Sequence, residues 1–152
     1  MPKEKYDFAG WVTKNDTRCS DGVVIKHGAF KDNDQKTVPL VWNHNHSEPT
    51  NVLGHVMLHN DEKGVYGYGY FNETDEAKHA KELIKHGDIS AMSIGANRIK
   101  KQGQNVIHGM IYEVSLVLRG ANPGALIETV MAHSDDSVET DKAIIYTGNL
   151  IH

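Results

Sequence analysis

A histidine, a serine and a glutamate stand in settings suited to acyl-transfer chemistry. His44 lies in Asn43-His44-Asn45-His46, directly after the apolar run Val38 to Trp42. Ser93 lies in Ile89-Ser90-Ala91-Met92-Ser93-Ile94-Gly95, and Glu113 lies among the apolar residues of Ile111 to Val117. A serine hydroxyl is a poor nucleophile alone and needs a general base within hydrogen-bond reach. An imidazole, which ordinarily titrates near pH ~6.5, suits that task near neutrality. A carboxylate buried among apolar neighbours needs a partner. A histidine N–H can be that partner, and the carboxylate in turn fixes the tautomer of the ring.

Each residue also has a plainer reading. Taken alone, Ser93 fits an ordinary strand serine more readily than a nucleophile. Glu113 is equally well a solvent-facing residue on a half-exposed strand. Ala91-Met92-Ser93-Ile94-Gly95 comes close to the Gly-x-Ser-x-Gly elbow of α/β-hydrolases. That fold needs many βα units and the order serine, acid, histidine, whereas His44 precedes Ser93 and one convincing helix is visible. His44, His46 and His55 could together ligate a metal such as zinc, copper, iron or nickel. No cysteine or carboxylate stands at a recognised interval from them. A His-Asn-His nuclease would need a ββα metal site and a basic face, and the sequence shows neither. The other histidines, His27, His59, His79, His86, His108, His133 and His152, read as loop or surface residues.

The elements that would mount these residues are mostly short strands. Tyr6 to Val12, Gly22 to Ile25, Val38 to Trp42, Val52 to Leu58 and Val65 to Phe71 are apolar or alternating runs. Asn60-Asp61-Glu62-Lys63-Gly64 joins the last two as a hairpin turn. Lys31 to Gln35 reads as a polar loop. Tyr66, Tyr68 and Tyr70 share one strand face, and Gly67 and Gly69 leave the other open to close approach. Thr74 caps a helix with Asp75 and Glu76 in its first turn, Lys85 and His86 at its end and Gly87 as its stop. Ala77, Ala80, Leu83 and Ile84 form its apolar face. Ile89 to Lys100 and Asn105 to Leu118 make a second hairpin through Lys101-Gln102-Gly103-Gln104. Alternation makes Tyr112, Val114, Leu116 and Leu118 the core face of the latter strand. Asn122-Pro123-Gly124 breaks it, and Ala125 to His133 reads as a short helix.

A chain of 152 residues suits one domain. The expected organisation is a domain over residues 1–130, an acidic linker over 131–142 and a C-terminal tail over 143–152 that docks or begins a further segment. Net charge is −4 with interspersed signs, which argues against a nucleic-acid partner. Cys19 is the single cysteine, so neither an internal disulfide nor a cysteine zinc cluster can form, and a reducing compartment fits. No apolar run approaches the roughly 20 residues that span a bilayer. The opening MPKEKYDFAG has no signal-peptide core, so the protein is expected to work where it is made.

Taken in order, several segments resemble the prohead maturation proteases of tailed phages. They are Val41-Trp42-Asn43-His44-Asn45-His46-Ser47-Glu48-Pro49, Val52-Leu53-Gly54-His55-Val56 and Gly64-Val65-Tyr66-Gly67. Ala80 to Gly87, Ile89 to Gly95, Tyr112 to Val117 and Ala121-Asn122-Pro123-Gly124-Ala125 follow. The resemblance implies a mainly β fold with flanking helices, a closed barrel like that of herpesvirus assemblin. It implies His44 as general base and Ser93 as nucleophile. By position it puts Glu113 in the place of the residue that orients the histidine, and Arg119 and Gly120 at the backbone oxyanion site. It implies a serine endopeptidase, needing no cofactor or metal, that cleaves scaffold protein, the major capsid protein precursor or both. The setting would be the assembling procapsid in the host cytoplasm, with autocleavage, and with self-association open. Two alternatives remain: a non-catalytic capsid assembly or scaffold module with the same fold, and a His-ligated metal-dependent hydrolase.

Overall fold

A computed structural model describes residues 5–133 and 143–147. The chain forms β1 (Phe8–Lys14), β2 (Val24–Ile25), β3 (Thr37–Trp42), β4 (Val52–Asn60), β5 (Gly64–Phe71), α1 (Asp75–Lys85), β6 (Ala91–Gln102), β7 (Asn105–Val117), β8 (Ile127–His133) and β9 (Ala143–Thr147). Short 3-10 turns occupy Lys31–Asn33 and Pro49–Asn51. All the strands belong to one sheet. From β3 it runs through β4, β5, β1, β8 and β9, and on the other side of β3 lies β7, which also pairs with β2 and β6.

The core is apolar and continuous. Phe8, Leu40, Val56, Leu58, Ile84, Met92, Ile111, Val114, Leu116 and Val130 are each at most 1% exposed. Burying a side chain of this size stabilises the fold by about 1.5–3 kcal/mol. The glycines of β5 admit this packing. A Cβ on Gly69 would run into the Phe8 ring, and one on Gly67 would lie 2.7 Å from the Val12 side chain. The close approach expected at these positions is therefore that of the core itself. Helix α1 buries Ala77, Ala80 and Ile84, and the Thr74 side chain accepts a hydrogen bond from the Ala77 N–H at 3.2 Å. That cap satisfies one of the orphan donors of the first turn.

Four expectations need correction. The sheet does not close into a barrel: β8 turns away to pair with β9, and the opposite edge at β6 meets it through one bridge, Ala91 to Leu126. Ala125 to His133 is not a helix. Its backbone groups are taken by β1 and β9 in strand β8. Tyr112 and Leu118 are not core residues, being 46% and 74% exposed. Within Lys31 to Gln35, Asn33 is wholly buried. Its amide donates to the carbonyls of Phe30 and Gly109, each at 3.0 Å, and accepts from the Ile111 N–H. Strand β8 runs through the position where the linker was expected to start. Residues 134–142 and 148–152, which hold most of that linker and half of the expected tail, lie outside the described residues.

Candidate active site

The site forms where β3 ends against the middle of the β6–β7 hairpin. Leu40, Val41 and Trp42 pair in parallel with Val114, Ser115 and Leu116, and Ser93 pairs with Ser115 from the other side. Three strands therefore fix the relative heights of His44, Ser115 and Ser93. Just past β3 the backbone turns sharply. Asn43 and His44 both take left-handed conformations, with φ of 52° and 56°, and the Asn45 N–H closes the turn on the Trp42 carbonyl at 2.9 Å. Asparagine visits this region readily, whereas a bulkier residue held there costs on the order of 1–3 kcal/mol. The turn throws the His44 ring back across β7.

There the ring meets both other candidates. His44 Nδ1 lies 2.5 Å from Glu113 Oε2, and His44 Nε2 lies 3.0 Å from Ser93 Oγ. The Glu113 side chain is 3% exposed and that of His44 is 40% exposed. The carboxylate is enclosed while the imidazole and serine face outward. An ionised carboxylate only accepts, so Nδ1 carries the proton and Nε2 presents its lone pair to the serine hydroxyl. Glu113 Oε1 in turn accepts from Ser115 Oγ at 2.7 Å. The arrangement can remove a proton from Ser93 and hold the resulting imidazolium against a buried negative charge.

Gly95 makes room for this. It is the strand partner of Glu113, and a Cβ there would sit 2.3 Å from Glu113 Oε2. The glycine two residues beyond Ser93 therefore vacates the space in which the carboxylate lies across β6. The start of β6 is also held on its outer edge. The Met92 N–H donates to the Ala125 carbonyl and the Ile127 N–H to the Ser90 carbonyl, each at 2.9 Å. Asn122 anchors that loop: its amide donates to Thr13 Oγ1 and the Lys14 carbonyl, and its oxygen accepts from the Gly124 N–H. The run Ala121 to Ala125 thus clamps the strand that carries Ser93.

Arg119 and Gly120 lie beside that strand. A Cβ on Gly120 would be 2.6 Å from the carbonyl oxygen of Met92, the neighbour of Ser93. Among the described residues no backbone carbonyl takes the N–H of either Arg119 or Gly120. With Ala91, Leu118 and Leu126 they line an open depression alongside β6.

The histidines do not assemble as a triple ligand set. His46 Nε2 is 3.9 Å from Glu113 Oε1 with its ring against Tyr112, while His55 stacks on Tyr70 at 4.9 Å. Among the described residues no three His, Cys, Asp or Glu side chains gather round one point. Two contributors escaped sequence reasoning. Ser115 was visible only as one residue of an alternating strand. Gly95 stands in the sequence only as the last residue of Ala91-Met92-Ser93-Ile94-Gly95, whereas its missing side chain makes room for Glu113.

The sequence model of a family described as Caudovirus prohead serine protease matches residues 4–140. None of the curated proteins matches the chain. Among solved structures, a KSHV protease crystallised in complex with a hexapeptide phosphonate inhibitor is similar in fold. The TM-score is 0.53 at 14% identity, over 82% of this chain and 64% of that one. This chain thus spans somewhat under two thirds of the viral enzyme's length.

Proposed function

This chain belongs to the caudovirus prohead serine protease family, and from that premise we propose that it is a serine endopeptidase with His44, Ser93 and Glu113 as its catalytic residues. One observation carries the reading: Ser93, His44 and Glu113 lie in one hydrogen-bonded line, at 3.0 Å and 2.5 Å, in a member of a serine protease family. His44 Nε2 takes the proton of Ser93 Oγ as that oxygen bonds to a peptide carbonyl carbon. The backbone N–H groups of Arg119 and Gly120 are the proposed donors to the oxyanion of the tetrahedral intermediate. The imidazolium then gives its proton to the departing amine, and the C–N bond breaks to leave an acyl-enzyme. Water enters, His44 takes its proton as the water oxygen bonds to the acyl carbon, and the imidazolium returns that proton to Ser93 Oγ as the ester C–O bond breaks and the acid is released. Glu113 stabilises the imidazolium in both halves without itself taking the proton.

The proposed substrates are the scaffold protein and the major capsid protein precursor of the same phage, cleaved within the assembling procapsid. Autocleavage is part of the proposal. Among the described residues no helix is long and apolar enough to cross a membrane. The test is coexpression with the phage's scaffold and capsid precursors. The wild-type chain shortens one or both, and Ser93→Ala leaves them intact. Processing by Ser93→Ala at the wild-type rate would sink the assignment. A wild-type chain that processes neither would instead favour a non-catalytic assembly module.

A further inference from the structure

We propose that Ser115 is a positioning residue for the reaction, a fourth member of the hydrogen-bonded line that sets both the base and the acid. The inference rests on the roles assigned above to His44, Ser93 and Glu113. Ser115 is wholly buried, so its hydroxyl cannot meet a substrate. Its two hydrogen bonds both go to those residues. The His44 backbone N–H donates to Ser115 Oγ at 2.9 Å, and Ser115 Oγ donates to Glu113 Oε1 at 2.7 Å.

The directions of these bonds follow from chemistry. A backbone N–H can only donate, so it uses a lone pair of Oγ and leaves the hydroxyl hydrogen for the carboxylate. Glu113 Oε1 is thereby occupied, and Oε2 faces His44 Nδ1. The result is a closed circuit: His44 backbone to Ser115, Ser115 to Glu113, Glu113 to the His44 ring. Both ends of the histidine are tied to one buried hydroxyl. The backbone tie matters because Asn43 and His44 are both left-handed, a conformation that persists where its surroundings over-determine it. His46 is the other polar group near Oε1, but at 3.9 Å and 50% exposed it lies beyond hydrogen-bond range. Networks of this kind in a buried setting act as units, so the members are expected to be strongly coupled.

The test measures the rate at which a fluorophosphonate phosphonylates Ser93, per folded molecule, with melting curves establishing the folded fraction. Ser115→Ala is expected to slow that reaction by roughly 10- to 100-fold, and Ser115→Thr, which keeps the hydroxyl, to stay within about threefold of wild type. In a Glu113→Gln background, adding Ser115→Ala is expected to slow the rate by severalfold less than it does in the wild-type chain, because the path through the carboxylate is already broken and only the tie to the His44 backbone is left to lose. A merely structural role would lower the melting temperature without this loss of effect in the double variant. The proposal is overturned if folded Ser115→Ala reacts as fast as wild type, if folded Ser115→Thr is as slow as Ser115→Ala, or if the two substitutions multiply. A wild-type chain that is not labelled at Ser93 overturns instead the assignment on which this one rests.

Discussion

The two halves of the β6–β7 hairpin share strands and turn but not environment. In the half that carries the site, β7 lies between β6 and β3, and Glu113 to Val117 are all at most 3% exposed. In the outer half, from Ala96 to Met110, the pairing slips at Gly95/Ala96, Asn97/Lys100 and Lys100/Lys101, and Arg98 is left-handed. There β7 gains only the two-residue β2 as a second neighbour. The hairpin is thus regular where three strands and a buried carboxylate meet and irregular where water covers it. Precision in the site comes from the third strand and the clamping loop, not from the hairpin alone.

Changes to the inner half of the hairpin are expected to have the largest effects. Glu113→Gln keeps the shape of the site but presents an amide to His44, so the wrong tautomer competes, and activity is expected to fall by roughly 10²–10⁴-fold in a peptide-cleavage assay. Unchanged activity would remove Glu113 from the site. Gly95→Ala puts a methyl group where Glu113 Oε2 lies. It is expected to cost about 1–3 kcal/mol in denaturant melts, as overpacking does, and to lower activity with it. The outer half should hardly respond: Ile107→Ser, at a 39% exposed position, is expected to stay within about 0.5 kcal/mol of wild type with unchanged cleavage.

The smallest effect lies across the sheet, on the tyrosine face of β5. Burial, with help from the Glu128 carboxylate that accepts its hydroxyl, raises the Tyr66 phenol above its ordinary range. The folded chain therefore holds that proton more tightly than the unfolded one. The stability this adds is complete below about pH 10 and is lost as pH rises through the folded value. Tyr66→Phe is expected to flatten the alkaline fall in melting temperature and, by losing the hydrogen bond to Glu128, to lower the neutral value slightly.

How far the sequence anticipates this molecule depends on how local each signal is. Helix α1 was legible because its cap, charges and glycine stop lie within one segment, and the β4–β5 hairpin because its turn joins two apolar runs. Strand β8 was not, because Ala125 to His133 has apolar spacing compatible with a helix, and it is pairing with β9 and with β1, the latter more than a hundred residues away, that makes it a strand. The alternation of β7 was carried too far: Tyr112 and Leu118 continue the apolar face but lie outside the core, 46% and 74% exposed. Glu113 stood open between buried and solvent-facing because its cover is the His44 turn, 69 positions distant. Ser115 was invisible for the same reason. Its partners are a strand neighbour and a backbone N–H 71 positions away, and no pattern within β7 points to either.

In the proposed mechanism everything depends on His44 activating Ser93 as a nucleophile. Reaction with a fluorophosphonate followed by peptide mapping tests it most directly. One covalent adduct is expected, on Ser93, formed by the wild-type chain and lost in folded His44→Ala. An adduct elsewhere, none at all, or labelling of Ser93 that persists unchanged without His44 would contradict it.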